Sequence, residues 1–164
     1  MKFTLLAGCL LPLFLAAQDA KDCKIHREKD PYTKETRLST GFMTLQGGTV
    51  SIEADKTEID FFFVIPDKCF NDDMTVQIFF EGSRAKTTFR NAGGMNCDGY
   101  FHFKFKNGQV TPTAVKNLST KKVTQFIFNP EDKKPLVITL RPDQQDIFMN
   151  GAACMAEEAK TLIK

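Results

Sequence analysis

Two histidines and five cysteines are the chemistry-bearing side chains scarce enough in this 164-residue chain to be weighed one at a time. His102 lies in Tyr100–Lys106, where Phe101, Phe103 and Phe105 alternate with Tyr100, His102, Lys104 and Lys106. Successive side chains of a strand point to opposite faces, so His102 and Lys104 share the polar face of a half-buried strand. A general base needs an orienting partner within hydrogen-bond reach. None adjoins His102 in the sequence, and it reads as an exposed strand histidine. Finding it in a deep pocket with Glu53, Asp60 or Glu81 would instead favour an enzyme. His26 sits in a charged N-terminal segment and reads as solvated.

The other motifs reduce to turn chemistry. Asn71-Asp72-Asp73 offers oxygens to a cation, but lacks the spaced ligand series of a calcium loop, and an Asx turn accounts for it. Asn96-Cys97-Asp98-Gly99 has no second Cys at x-x spacing, which a thiol redox motif requires. Ser51, Ser83 and Ser119 lack a nucleophile-elbow setting. Asn117-Leu118-Ser119 matches a glycosylation sequon, relevant only in a eukaryotic secretory pathway. The sequence therefore nominates no catalytic, cofactor-binding or metal-binding residue, and the expectation is a protein that is not an enzyme.

The cysteines say more. Residues 1–17, with Lys2 ahead of the apolar run Leu5–Ala17 and Ala16-Ala17 before Gln18, read as a signal peptide. The run is too short to span a bilayer as a helix, and no later segment replaces it, so no transmembrane segment is expected in the mature chain. The competing reading is a lipobox at Leu6-Ala7-Gly8-Cys9, with the chain anchored through an acylated Cys9. The secretory reading removes Cys9 and leaves Cys23, Cys69, Cys97 and Cys154, an even count that in an oxidising compartment implies two disulfides with three possible pairings. Their spacings match no zinc site. Removing residues 1–17 also leaves 21 Lys and Arg against 20 acids, a net charge of +1. Such a domain has no field to collect polyanions, so nucleic acid is excluded as a partner.

The elements that must position these residues follow from periodicity. Gln18–Ser39 is polar, with a turn at Asp30-Pro31-Tyr32, and reads with Thr40 as an extended N-terminal segment, residues 18–40, ahead of a single β-rich domain, 41–164. Strands are expected over Gly41–Gln46, Thr49–Ala54, Thr57–Ile65, Met74–Phe80, Arg84–Arg90, Tyr100–Lys106, Lys122–Phe128 and Leu136–Leu140. Phe61–Ile65 is apolar on both faces, as in a central strand covered on both sides. Met74–Lys106 reads as a three-stranded meander at the centre of the fold. Thr111–Ser119 is ambiguous, and Pro112 in the first turn of a short helix would hold Val115 and Leu118 inward; a turn falls at Glu131–Lys134. An amphipathic helix closes the chain over 142–163, where Gly151 costs about 1 kcal/mol against Ala. Its small residues, Gly151, Ala152 and Ala153, would let it approach the sheet closely. Sixteen Phe against two Tyr and no Trp point to an aromatic core, with Phe61, Phe63, Ile78, Phe101, Phe103 and Ile138 buried together.

If the meander runs up, down and up, Cys69 and Cys97 both precede upward strands. They then lie at one end of the sheet, where a disulfide is feasible. Cys23 would pair with Cys154, pinning the N-terminal segment to the terminal helix.

The Ala-Ala-Gln cleavage region, KDPYTKET after the first mature Cys, FFEGS, NCDGYFHF, KKVTQFIF and the helical tail with Cys154 together resemble a family of exported α+β proteins of the Bacteroidota. That family has no assigned activity. The resemblance spans nearly all of Gln18–Lys164 and implies export and a single α+β domain. The fold expected is an antiparallel β-sheet or partly closed sandwich of about seven strands with a C-terminal amphipathic helix. The function expected is that of a periplasmic or secreted binding or structural module, whose partner is an envelope or extracellular protein or glycan. A secreted inhibitor is the alternative, with the disulfide-braced Pro66–Asp73 loop inserted in a partner's cleft; a hydrolase with an unrecognised site is the remoter one. A protruding rigid loop would favour the inhibitor, and an exposed sheet face or edge the binding role.

Overall fold

The computed structural model describes residues 23–130 and 134–163. The signal peptide over 1–17, the Cys9 lipobox and most of the Glu131–Lys134 turn lie outside the described residues. Within them the fold is α+β, with two antiparallel sheets packed face to face. The six-stranded sheet holds β1 (His26–Lys29), β2 (Thr36–Ser39), β3 (Met43–Leu45), β4 (Gly48–Ala54), β5 (Glu58–Val64) and β8 (Tyr100–Lys106). The four-stranded sheet runs β10 (Leu136–Thr139), β9 (Val123–Asn129), β6 (Thr75–Phe80), β7 (Lys86–Arg90). Two helices, α1 (Thr113–Thr120) and α2 (Pro142–Glu158), complete the chain with a terminal 3₁₀ turn, Ala159–Ile163.

The described strands number ten, not about seven. The polar segment 18–40 carries two of them: Asp30 accepts the backbone N–H groups of Tyr32 and Thr33, turning the chain so that β1 pairs β2. A pair of strands with four exposed residues on one side has no apolar alternation to betray it.

The meander is corrected more sharply. β6 and β7 do form a hairpin, but β8 leaves that sheet and pairs β5 along its whole length. The nine residues between β7 and β8 exceed a hairpin connection and carry the chain across to the facing sheet. Apolar parity is satisfied in either sheet, so periodicity alone does not choose between them.

The core is the aromatic layer expected. Phe61, Phe63, Ile78, Phe101, Phe103 and Ile138 are all buried in one cluster. Phe103 is its keystone: it stacks on Phe61 (ring centroids 5.1 Å) within its own sheet and on Phe89 (4.6 Å) of the other. Helix α2 lies beside the four-stranded sheet and covers β2, β3 and β4, with Phe148 between Phe61 and Phe126. Its buried small residues include Ala152 and Ala156, and Ala159, at the start of the 3₁₀ turn, is buried beyond them. Gly151 is not a close-approach residue, since an added Cβ would lie 3.5 Å from Met43 Sδ, in ordinary contact. The helix starts with Pro142 at its first position and a capping box in which Gln144 Oε1 accepts the Arg141 N–H.

Both disulfides form with the expected partners, Cys23 with Cys154 and Cys69 with Cys97. The strand-direction argument behind the second pair needs amending, because β6 and β8 lie in different sheets. The cysteines meet because Phe70 and Asn96 exchange both backbone hydrogen bonds at 2.8 Å, one residue inside the bridge. The staple therefore joins two of the connections that cross between sheets, β5 to β6 and β7 to β8.

Candidate functional site

Pairing in β-strands puts directly opposed residues on one face, and the register of the six-stranded sheet assembles its outer face row by row. One row is Ser39, Glu53, Asp60, Lys104; the next is Ser51, Phe62, His102; beyond it Thr49, Val64, Tyr100. Among the described residues no sheet or helix covers these rows, though Asn91, Ala92 and Gly93 lie against His102. The expected double cover of β5 is therefore absent: its inward side chains Phe61 and Phe63 are buried, while Phe62 and Val64 are only half-buried. Phe62 instead rests against Tyr100 (5.5 Å between ring centroids) and His102 (5.9 Å).

A cleft of about 280 Å³ opens on this face, lined by Arg37, Glu53, Asp60, Phe62, His102 and Lys104 among others. His102 is not the exposed histidine of the sequence reading. Its side chain is 18% accessible, and Nδ1 donates to Asp60 Oδ2 at 2.8 Å. Its backbone N–H donates to Asn91 Oδ1, and Ala92 N–H donates to its carbonyl, so the residue is fixed from the strand edge as well. Gly93 leaves room for the ring: a Cβ there would come within 2.9 Å of Nε2.

Asp60 is the electrostatic centre. Its Oδ2 takes the His102 hydrogen bond and lies 3.7 Å from the Lys104 ammonium, whose firmer partner is Glu58 Oε1 at 2.6 Å. Its Oδ1 is buried and has no hydrogen-bond partner. Leaving such an acceptor unpaired costs about 1–3 kcal/mol, more when it is charged. Directly opposite stands Glu53, whose carboxylate accepts a long 3.4 Å bond from the Ser51 hydroxyl. Like charges facing each other across strands repel. The hydrogen bond to Glu58 holds the Lys104 ammonium above its ordinary pKa, against burial, with Asp60 adding to the effect. Asp55, at the end of the cleft, is subject to burial that favours its neutral form. Hydrogen bonds from the Thr57 hydroxyl and the Thr57 and Glu58 N–H groups outweigh it and keep the carboxyl below its ordinary value.

An Asp-oriented histidine is half of a nucleophile-activating arrangement. The hydroxyl nearest in register, Ser51, is 1% accessible and bonded to Ser39 and Glu53 rather than to the ring. The four described cysteines are all in disulfides. Glu81 is far from the cleft, in the turn after β6, where its N–H donates to the Lys122 carbonyl.

The remaining motifs behave as turns. Asn71 Oδ1 accepts the Asp73 N–H, and Ser83 Oγ accepts the Ala85 N–H. Among the described residues, no three His, Cys, Asp or Glu side chains converge as a metal-holding group. His26 is exposed, as its segment implied. The Pro66–Asp73 loop is anchored rather than free, with Phe70 fully buried against Phe101 and Phe128.

No protein-family model, curated protein or solved structure matches this chain. Among the described residues no helix is long and apolar enough to cross a membrane. The pairing of His102 with Asp60 had one signal in the sequence, since Asp60 shares its parity with Phe62 in an alternating run. Using it required knowing that β8 pairs β5.

Proposed function

We propose that the mature protein is an exported, non-enzymatic binding module that holds an envelope or extracellular protein or glycan on the outer face of its six-stranded sheet. The observation that carries this reading is the cleft at Asp60 and His102, where charged and polar side chains adjoin a half-buried Phe62 and an exposed Tyr100. A sheet face that combines aromatic area with convergent polar groups is a recognition surface. Binding is favoured over turnover because the hydroxyl nearest His102 in register is bonded to Ser39 and Glu53 and the four described cysteines are in disulfides. Two disulfides support export, because such bridges persist in oxidising compartments. The anchored Pro66–Asp73 loop speaks for the sheet face over loop insertion.

The test is paired affinity capture from an envelope extract and a glycan library, using wild type and a Phe62→Ala/Asp60→Asn variant of matched circular dichroism. The proposal expects a partner retained by wild type and lost by the variant. Retention indifferent to the cleft overturns it, as does hydrolytic turnover abolished by His102→Ala. For export, the intact mass of the secreted protein should begin near Gln18; a species starting at acylated Cys9 would establish the lipoprotein instead.

A further inference from the structure

We infer that the free edge of β7 takes up an extended acidic segment of a partner protein as an added strand of the four-stranded sheet. This edge belongs to the other sheet from the cleft, and it gives the module a second contact surface. β7 ends its sheet and pairs only β6. The Asn91 N–H donates to the Met74 carbonyl at 2.9 Å in the same register. Hydrogen-bonded and non-bonded pairs alternate along an antiparallel ladder, so Phe89 and Thr87 direct their backbone groups to β6. Those of Lys86, Thr88 and Arg90 point away from the sheet and meet no other backbone group among the described residues. Other edges are capped: Asn91, Ala92 and Asn96 bond to β8 at His102 and Tyr100, and Gln144 bonds to β3 at Thr44. Phe89 stacks on Phe103 and fixes the open edge to the core. Charge decides what the edge accepts. From Gly82 to Cys97 the sequence carries Arg84, Lys86 and Arg90 and no acidic residue. Arg90 is answered by Asp73, whereas Lys86 donates to a neutral amide, Gln77 Oε1, at 2.9 Å. Arg84 is exposed, and neither it nor Lys86 has an ion pair among the described residues. Cations on an edge deter indiscriminate strand pairing. A second copy paired antiparallel about Thr88 would set Lys86 against Arg90 twice, like charges directly opposite. A segment with carboxylates at alternate positions reverses that sign, and gains main-chain hydrogen bonds and ion pairs together.

The experiment is an NMR titration of the ¹⁵N-labelled mature protein with a blocked heptapeptide in which glutamate alternates with valine. Saturable shifts and slowed hydrogen exchange are expected at the Lys86, Thr88 and Arg90 amides. Exchange at Thr87 and Phe89, already bonded to β6, should change little. Added salt should weaken binding, and the same peptide with lysine for glutamate should not bind. Thr88→Pro removes an outward N–H that β6 does not use, which an edge strand tolerates. It should weaken binding about tenfold or more, because an incoming carbonyl is left unpaired. Arg84→Glu/Lys86→Glu should exchange the preference, losing the glutamate peptide and gaining the lysine one. Spectral dispersion reports whether each variant is folded. Equal binding of the two peptides by wild type, or undiminished binding by folded Thr88→Pro, overturns the assignment. If Thr88→Pro does not fold, the charge-exchanged variant decides, and a retained preference for glutamate overturns it. Shifts without protection of the Lys86, Thr88 and Arg90 amides would mean adsorption to charge alone, and would overturn strand addition. Unshifted amides would overturn it as well.

Discussion

Replacing each disulfide by an alanine pair sets the two bridges against each other in one protein. The Cys23–Cys154 bridge closes a loop of 131 residues and the Cys69–Cys97 bridge one of 28. In the chain-entropy model the stabilisation grows with the logarithm of loop length, giving about 5 kcal/mol for the first and about 3.6 kcal/mol for the second. The constant term cancels in the difference, so the long bridge should exceed the short one by about 1.4 kcal/mol. Native contacts push the same way. Cys154 is 5% accessible and sits on α2, so its alanine also loosens a buried helix face, whereas Cys97 is exposed. Equilibrium urea denaturation reads both losses, and the m-value should rise in both variants as the unfolded chain expands. A domain of this size has about 5–15 kcal/mol to lose, so the Cys23→Ala/Cys154→Ala variant should be marginal and best measured in the cold. A loss below about 1 kcal/mol from opening the long loop, or a larger loss from opening the short one, would refute the entropic argument.

Other perturbations test the packing and the charges. Phe103→Ala, which empties the site between Phe61 and Phe89, should cost about 3–5 kcal/mol by denaturant titration; a loss under about 1 kcal/mol would mean the side chain is not the keystone. Gly151→Ala should stabilise by up to about 1 kcal/mol, because the new methyl meets Met43 and Thr40 at ordinary contact distance. Gly99→Ala should destabilise by more than about 2 kcal/mol: φ is +78°, and a Cβ would overlap the Ile65 carbonyl oxygen at 1.9 Å. The Asp55 carboxyl, held below its ordinary value, contributes stability above its unfolded pKa and loses it as pH falls through the folded one. Stability between about pH 5 and about pH 3 should therefore fall less steeply in Asp55→Asn, and an unchanged slope would contradict the turn hydrogen bonds.

Much of the fold was legible because the apolar faces are written at a period of two. Phe101-His102-Phe103-Lys104-Phe105 displays its inward and outward residues without reference to any partner, and so does Val76-Gln77-Ile78. What a strand cannot display is its neighbour. Tyr100–Lys106 presents the same apolar row to β5 as it would to β7, and the choice is made by connection length and by tertiary packing. The cleft was obscured for that reason: Asp60 and His102 are 42 residues apart and meet only through the β5–β8 register. The β1–β2 hairpin was hidden differently. β1 is charged and exposed throughout and β2 sends only Leu38 into the core, so pairing rests on the Asp30 turn and on contacts such as Arg27 with Glu158, neither of which leaves a periodic trace.

The Cys23–Cys154 bridge also changes what a cut in the chain would do. It joins the two ends of the described molecule, and the smaller Cys69–Cys97 ring is nested inside it. A single cleavage anywhere from residue 24 to residue 153 converts a ring into an open chain without releasing a fragment. Both pieces remain covalently joined, and the sheets still hold their registers. The first nick therefore releases nothing, and at least one further cut is needed before any strand can leave.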